Sequence, residues 1–476
     1  MLKTIIHYPL RSVATHPWLF LLIVLGLPVF CFALLGIFSR PIGLLAAIWP
    51  ANPLLLGLMI RVPRCRRPLG WAIASLAFIA ADLITGAKLS TAVILTSANL
   101  MGIAAGLVLV SKMPPSTWQL EHKFGVLGML AIAIIAAFSA GLMGMFIYPF
   151  WFNGTAQEGL IYWFVTELVN YIAFLPVILT APRLASLSGK SLHSLLRPTA
   201  LLNLLPGALV PVLCYAALYV DGPAAIAIPL IALLWCSLSY TLFNTALLTL
   251  FFCIWTLLAV AQGHIAIDTH LSSWNVTMSW RLGISMIALV PIVVASQTQI
   301  RVKELAQLTW SANHDPLTGI LNRRGFFNHF QRILSTSSSH PLSLAILDLD
   351  HFKAVNDQYG HPCGDEVLKN VAAAINNSIG NSAIFGRLGG EEFALLLPHH
   401  SDDDVNRVIE AIRSNLHATP TIHEDGTLIS VTLSIGLTQT TDLNAKADEL
   451  ILEADQALYL AKDQGRNRAV RFKAKA

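Results

Sequence analysis

The first 300 residues are a succession of apolar stretches separated by short loops, and no other feature limits the possible folds so sharply. A helix needs about 20 consecutive, mostly apolar residues to cross the hydrocarbon core of a bilayer. About ten stretches approach that length: 17–38, 42–60, 69–87, 89–111, 124–147, 158–180, 199–219, 224–240, 242–262 and 281–299. The seventh to ninth are crowded together, which leaves eight spans as the alternative count. Charge is distributed just as unevenly. Residues 1–300 hold 14 Lys/Arg against 6 Asp/Glu, whereas residues 301–476 hold 17 against 21. The whole chain is 12% charged, while soluble domains carry about 25%. A polytopic α-helical membrane domain, expected over 1–299, is therefore joined to a soluble region.

Basic residues in short connections set the orientation of such spans. Arg61, Arg64, Arg66 and Arg67 follow the second stretch, and Lys112 and Lys123 the fourth. Arg183, Lys190 and Arg197 follow the sixth, and Arg301 and Lys303 the last. The alternate connections are poor in Lys and Arg, so both termini are expected on the cytoplasmic side of the lipid bilayer. Lys3 and Arg11 precede an apolar run with no small-residue cleavage site close behind. The first stretch thus reads as a retained helix and not a signal peptide. The basic excess flanks spans and does not point to nucleic acid. The six cysteines form no C-x-x-C pair and read as small apolar packing residues.

Asp82, Asn99, Glu167 and Asn170 interrupt the apolar stretches. A polar or ionisable group at that depth is expensive and marks a candidate functional site. Hydrogen bonding between helices is the alternative, and the sequence leaves both open. Glu167 and Asn170, three residues apart, share a helix face. The segment A-A-I-W-P-A-N-P-L-L-L-G-L-M-I-R (46–61) carries two prolines within a span. It resembles the W-P-x-N/G pattern of MASE-type membrane sensor regions of bacterial signalling proteins. That resemblance implies a sensor for an unidentified ligand, with Trp49, Asn52, Asp82, Glu167 and Asn170 as the candidate residues.

Residues 298–312, T-Q-I-R-V-K-E-L-A-Q-L-T-W-S-A, continue in a helical pattern, with Ile300, Leu305, Leu308 and Ala312 close to one face. A linker helix is placed at 300–313, able to couple a membrane helix to the soluble region or to pair with its copy in a dimer.

Beyond it, L-S-L-A-I-L-D-L-D (342–350) reads as a buried strand ending in two carboxylates, with Asp348 and Asp350 on the same face by the period of two. Helical signals flank the turn Y-G-H-P-C-G-D, and Asp365 is the expected N-cap of the second helix. I-F-G-R-L-G-G-E-E-F-A-L-L-L-P (384–398) reads as a hairpin turning at Gly389-Gly390, with Glu391 and Glu392 opening the returning strand. If that strand neighbours 342–350, Glu391 and Asp348 converge. Carboxylates gathered on a small patch suit Mg²⁺, which takes oxygen ligands beside phosphates. Metal-assisted phosphoryl or nucleotidyl transfer is the chemistry this favours, against a solvated polar hairpin tip.

Five segments resemble the GGDEF family of diguanylate cyclases in the family's order: H-D-P-L-T-G-I-L-N-R-R (314–324), D-L-D-H-F-K-A-V-N-D-Q-Y-G-H-P-C-G-D-E-V-L (348–368), R-L-G-G-E-E-F (387–393), V-T-L-S-I-G (431–436) and A-D-Q-A-L-Y-L-A-K-D-Q-G-R-N (454–467). The resemblance implies an α+β palm-like domain over 314–472, with a central, mostly antiparallel sheet flanked by helices. It implies condensation of two GTP into cyclic di-GMP by a homodimer joined through this domain and the linker helix. It also implies Mg²⁺ (or Mn²⁺) held by Asp348, the carbonyl of Leu349 and Glu391, with Glu392 in support. Glu391 would assist deprotonation of the ribose 3′-OH. Gly389 and Gly390 would run against the nucleotide, and Asn356 and Asp365 would read the guanine edge. Phe352, Lys353, Lys462 and Arg466 would face the triphosphate, the last two sharing a helix face.

One departure stands out. Many members carry an inhibitory R-x-x-D product site five residues before the first signature glycine, where this chain has Gly380 and Ala383. No E-A-L phosphodiesterase region is visible. The expected function is an inner-membrane sensor that makes cyclic di-GMP in the cytoplasm. A catalytically inactive GGDEF receptor and a transporter with a regulatory tail are the alternatives.

Overall fold

The computed structural model describes residues 17–40, 46–151, 153–182, 198–220, 222, 224–265, 273–336, 341–380, 383–442 and 445–473. Lys3, Arg11 and the basic loop with Arg183, Lys190 and Arg197 lie outside them. The chain divides into two compact units, Met1–Val302 and Lys303–Ala476.

The first unit is a helical bundle: α1 (Pro17–Phe38), α2 (Ala51–Arg61), α3 (Pro68–Ile84), α4 (Leu89–Lys112), α5 (Gly125–Trp151), α6 (Ala156–Thr180), α7 (Pro198–Ala217), α8 (Ala224–Ser239), α9 (Leu242–Ala261) and α10 (Ser273–Asn313). Among the described residues, six helices (α1, α4, α5, α6, α9 and α10) are long and apolar enough to cross a membrane, and α2, α3, Leu202–Ala217 of α7, and α8 are shorter apolar helices. All six cysteines are free, five of them buried and Cys31 exposed.

The second expected span, 42–60, is not a continuous helix. Residues 46–50 are irregular and α2 starts only at Ala51. Pro50 and Pro53 lack an N–H, which suits them only to the cap and first turn of a helix. Irregular backbone at membrane depth persists only where protein groups satisfy it, and here three helices do so. The Ser39 hydroxyl bonds the carbonyl and N–H of Ile48 at 3.1 and 3.2 Å. Asn170 Oδ1 on α6 accepts from the Trp49 N–H at 2.8 Å, and Arg281 on α10 donates to the Ala46 carbonyl at 2.9 Å.

The second unit holds β1 (Leu321–Asn322), α11 (Arg323–Thr336), β2 (Leu342–Leu349), α12 (Phe352–Tyr359), α13 (His361–Ser378), β3 (Ile384–Gly389), β4 (Glu392–Pro398), α14 (Asp402–Ala418), β5 (Thr421–Ile422), β6 (Leu428–Ile429), β7 (Leu433–Thr440), α15 (Ala447–Asp463) and β8 (Ala469–Arg471). The main sheet has the order β1-β3-β4-β2-β7-β8. Its four central strands pair antiparallel, and β1 and β8 join in parallel at the edges. All eight residues of β2 are buried, as an apolar strand covered on both faces must be. On one face Leu347, Leu349, Phe393, Leu395, Ile435 and Leu437 pack with Val367, Val371, Ile375, Val405, Ile409 and Ile412 of α13 and α14. On the other, Leu344, Ile346, Ala394 and Leu396 meet Phe326 and Phe330 of α11 and Leu450, Ala454 and Leu458 of α15. Gly436 on β7 brings α15 onto the sheet. A Cβ there would lie 2.1 Å from the Ala454 carbonyl oxygen and 2.3 Å from the Leu458 nitrogen.

Candidate functional site

Asp348 closes β2 in direct register with Glu392 of β4 and Ser434 of β7. Being of even number, it shares the face of Leu344 and Ile346, which α15 covers. The last turn of α15 delivers Lys462 there, its ammonium 2.8 Å from Asp348 Oδ2, with the carboxylate side chain 7% exposed. Asp350 lies just past the strand and is occupied otherwise. Its carboxylate accepts from the Thr432 and Ser434 hydroxyls at 2.7 and 2.6 Å and from the Asn467 N–H at 3.0 Å. The two carboxylates that look equivalent in the sequence therefore divide, Asp348 toward Lys462 and Asp350 into a structural knot.

The hairpin turns one residue later than the sequence suggests. Gly389 is the last residue of β3 and pairs with Glu392, so Gly390 and Glu391 form the two-residue loop. Gly390 takes φ of 51°, a left-handed value glycine adopts without penalty. A Cβ at either glycine would meet nothing within 4 Å, so both backbones are open on that side. Glu391 thus projects from the turn while its carbonyl accepts from the Leu349 N–H at 3.3 Å. Burial first, then the neighbouring Asp348 and Glu392 charges, push its carboxyl above the ordinary carboxylate value, and Lys462 partly offsets them. Glu392 is exposed.

A brace behind the turn was missed in the sequence. Arg387 donates to the Gly390 carbonyl through Nε at 2.9 Å and Nη2 at 2.6 Å. Its Nη1 meets Asp315 at 3.1 and 3.3 Å. Asp315 is fixed in turn by the Thr318 N–H and hydroxyl at 2.9 and 2.7 Å. Burial alone would raise the Asp315 carboxyl, but these hydrogen bonds and the guanidinium hold it below its ordinary value. The signal was present as H-D-P-L-T-G and R-L-G-G, two motifs 72 positions apart with no local clue that they meet.

On the other side of β2, α12 begins at Phe352 after His351, which adopts φ of 59°. The Phe352 ring is buried in the core, so what it and exposed Lys353 can both present is a helix-initial N–H group. Asn356 lies against α13 where Gly364 leaves room: a Cβ at 364 would be 1.9 Å from Asn356 Oδ1. Exposed Asp365 follows Gly364 immediately in the chain. It is not an N-cap, because α13 starts at His361 behind Gly360, with Pro362 in its first turn. Arg466 is not on the Lys462 helix face either. The helix ends at Asp463, and Gly465, Arg466 and Asn467 all take positive φ, with the Arg466 N–H returning to the Ala461 carbonyl at 3.0 Å. The Asn467 bond to Asp350 pins that turn.

In the membrane unit the candidate residues also meet. Asn52 Nδ2 donates to Asn99 Oδ1 at 3.0 Å and to Glu167 Oε1 at 2.9 Å, and Trp49 is tied to Asn170. Asp82 is buried on α3 and interacts electrostatically with Arg40.

The sequence model described as "Diguanylate cyclase, GGDEF domain" matches residues 312–468. A probable diguanylate cyclase DgcF of Escherichia coli O157:H7 is 28% identical over 455 residues, covering 92% of this chain and 91% of that protein. Its namesake in Escherichia coli K12 is 33% identical over 275 residues, covering 56% of this chain and 85% of that protein. Among solved structures, the GGDEF domain of DgcB from Caulobacter crescentus, in complex with c-di-GMP, is 31% identical. It covers 34% of this chain and 95% of that one, with a TM-score of 0.32. The chain belongs to the GGDEF family of diguanylate cyclases.

Proposed function

We propose that the chain is an inner-membrane, signal-regulated diguanylate cyclase. It condenses two GTP into cyclic di-GMP and two pyrophosphates in the cytoplasm, as a homodimer in which each subunit presents one nucleotide. The observation that carries this reading is the meeting of Asp348, Glu391 and Lys462 at an open glycine turn.

The donor set fits Mg²⁺. Among the described residues no three His, Cys, Asp or Glu side chains come together as a metal-holding group, and Mg²⁺ typically binds through one or two carboxylates plus substrate phosphates. Asp348, Glu391 and the Leu349 carbonyl would hold it, with Glu392 in support, and when bound it would offset charge on the triphosphate. The helix-initial N–H groups of Phe352 and Lys353 would receive phosphate oxygens. Lys462 and Arg466 supply cations against charge developing on the leaving pyrophosphate. Asn356 and Asp365 offer an amide and a carboxylate to the donors and acceptor of a guanine edge. The 3′-oxygen of one GTP forms a bond to the α-phosphorus of the other while the bond to pyrophosphate breaks. Glu391 takes the 3′ proton, as a carboxylate at the turn beside the nucleotide can.

The test is incubation of the purified chain with GTP and Mg²⁺, followed by identification of the nucleotide product. Cyclic di-GMP with pyrophosphate is expected. GTP bound but recovered intact would favour the inactive-receptor alternative.

A further inference from the structure

We infer that the membrane unit holds a binding site for a small monovalent cation at Glu167. This goes beyond the cyclase reading and does not depend on it. Glu167 on α6 is 3% exposed, Asn52 on α2 is 0% and Asn99 on α4 is 7%. Asn52 gives both its amide hydrogens away, one to Asn99 and one to Glu167 Oε1. That bond explains one oxygen of each acceptor group and leaves the rest. Asn52 Oδ1 and Glu167 Oε2 are buried with no hydrogen-bond partner among the described residues, and so are the Thr96 and Tyr171 hydroxyls. Thr96 lies three residues before Asn99 on α4, and Tyr171 four residues after Glu167 on α6, so each shares a face with its neighbour. The Glu167 charge acts electrostatically on Tyr171. Helix α2 packs against both α4 and α6.

The unmatched set is therefore four oxygens from three adjoining helices, with one formal negative charge. Among the described residues no ion pair involves Glu167. The Arg281 guanidinium reaches the residue beside it but is committed to Thr166 Oγ1, the Ala46 carbonyl and the Tyr162 ring. An ionised carboxylate isolated in an apolar interior is strongly disfavoured. Hydrogen bonding between helices accounts for Oε1 and leaves the charge untouched. A buried water could bond the oxygens but would leave the charge as well. A proton on Oε2 would serve Asn52 Oδ1 and is the competing occupant, which the dependence on pH and on the cation separates. A single alkali-type cation neutralises the carboxylate and accepts lone pairs from the unmatched oxygens that adjoin it. A divalent ion would leave an excess positive charge in the bundle.

The experiment uses the purified full-length chain in lipid nanodiscs at constant pH and ionic strength. NaCl or KCl replaces N-methyl-D-glucamine chloride, whose cation is too large for the site. The readouts are the thermal midpoint and equilibrium binding of radioactive sodium or rubidium. A saturable, cation-specific rise in midpoint is expected, with one ion bound per chain. Glu167→Gln keeps the size and removes the charge, and should weaken binding at least about tenfold. Tyr171→Phe removes one oxygen and should weaken it by a smaller factor, which keeps the test informative if the glutamine variant fails to fold. No cation-specific shift in the wild type, or an equal shift in a folded Glu167→Gln, overturns the inference. So does stability that follows pH but is indifferent to the cation, since the occupant is then a proton. GTP turnover is read in none of these arms, so an inactive cyclase leaves the result intact.

Discussion

Replacing Arg387 with methionine should loosen the signature turn without touching any proposed ligand. The guanidinium makes two bonds to the Gly390 carbonyl and one contact pair with Asp315. The side chains of Arg387 and Asp315 are 13% and 18% exposed. Removing one partner of a fully buried ion pair costs about 3–5 kcal/mol, and an exposed pair is worth about 0–1 kcal/mol. At this partial exposure the expected cost is about 2–3 kcal/mol. For a unit the size of Lys303–Ala476, that corresponds to a midpoint lowered by roughly 4–12 °C. The substitution would also leave Asp315 with only its Thr318 bonds. Because the folded-state pKa of Asp315 is depressed, its contribution is present above the unfolded value of about 3.9 and is lost as pH falls through the folded value. The variant should shrink that acid-side loss. Turnover should fall by about one to two decades, since the turn carrying Glu391 loses its brace. The assay is thermal unfolding of residues 303–476 with Arg387→Met, Asp315→Asn and the double variant, beside the rate of cyclic dinucleotide formation. A coupling energy below about 0.5 kcal/mol, with turnover unchanged, would refute the brace.

Three further outcomes are expected. Glu391→Gln should lose about two or more decades of turnover, and a variant keeping more than half the wild-type rate would remove Glu391 from the chemistry. Since the folded pKa of Glu391 is raised, its stabilising contribution is present below the unfolded value and lost as pH rises through the folded one. In metal-free buffer the same variant should therefore be no less stable than wild type near neutral pH; a metal-free variant that unfolds at a lower temperature than wild type would contradict the raised value. Gly380 and Ala383 offer neither charge nor side-chain hydrogen bond, so cyclic di-GMP should not inhibit strongly at saturating GTP. Submicromolar inhibition that extra GTP does not relieve would reveal another inhibitory site.

The sheet and its helices were legible because β2 and β4 are mostly apolar runs and α13 and α15 have clear helical faces. The functional positions were legible where a polar residue ended an apolar element, as Asp348 does. The errors fall where one glycine decides the local geometry. Gly390 carries the positive φ, so the turn moves one residue on and Glu391 leaves the strand. Gly465 opens a left-handed stretch that takes Arg466 off its helix, and Gly360 caps α13 ahead of Asp365. Partners distant in sequence could not be read at all: Arg387 with Asp315, Asp350 with Asn467, and Arg281 with the irregular backbone at Ala46. Arg281, at the start of the last apolar stretch, sits buried and anchors the break between α1 and α2.

Gly436 has a consequence for how sequence variation in this domain should be interpreted. It bears no reacting group and lies away from the signature, yet its missing side chain lets α15 rest directly on β7. That helix holds Lys462 against Asp348 at its far end. Even alanine at 436 must displace the backbone of Ala454 and Leu458, because rigid main-chain atoms, not a side-chain tip, occupy the space. In a library of random variants scored by product formed, this position should group with the carboxylates and be as intolerant as they are. A map of intolerance alone would then mistake a spacer for a participant in the reaction. The two separate when protein yield and thermal stability are scored alongside product, because a displaced helix lowers all of them and a lost surface carboxylate lowers product without lowering yield.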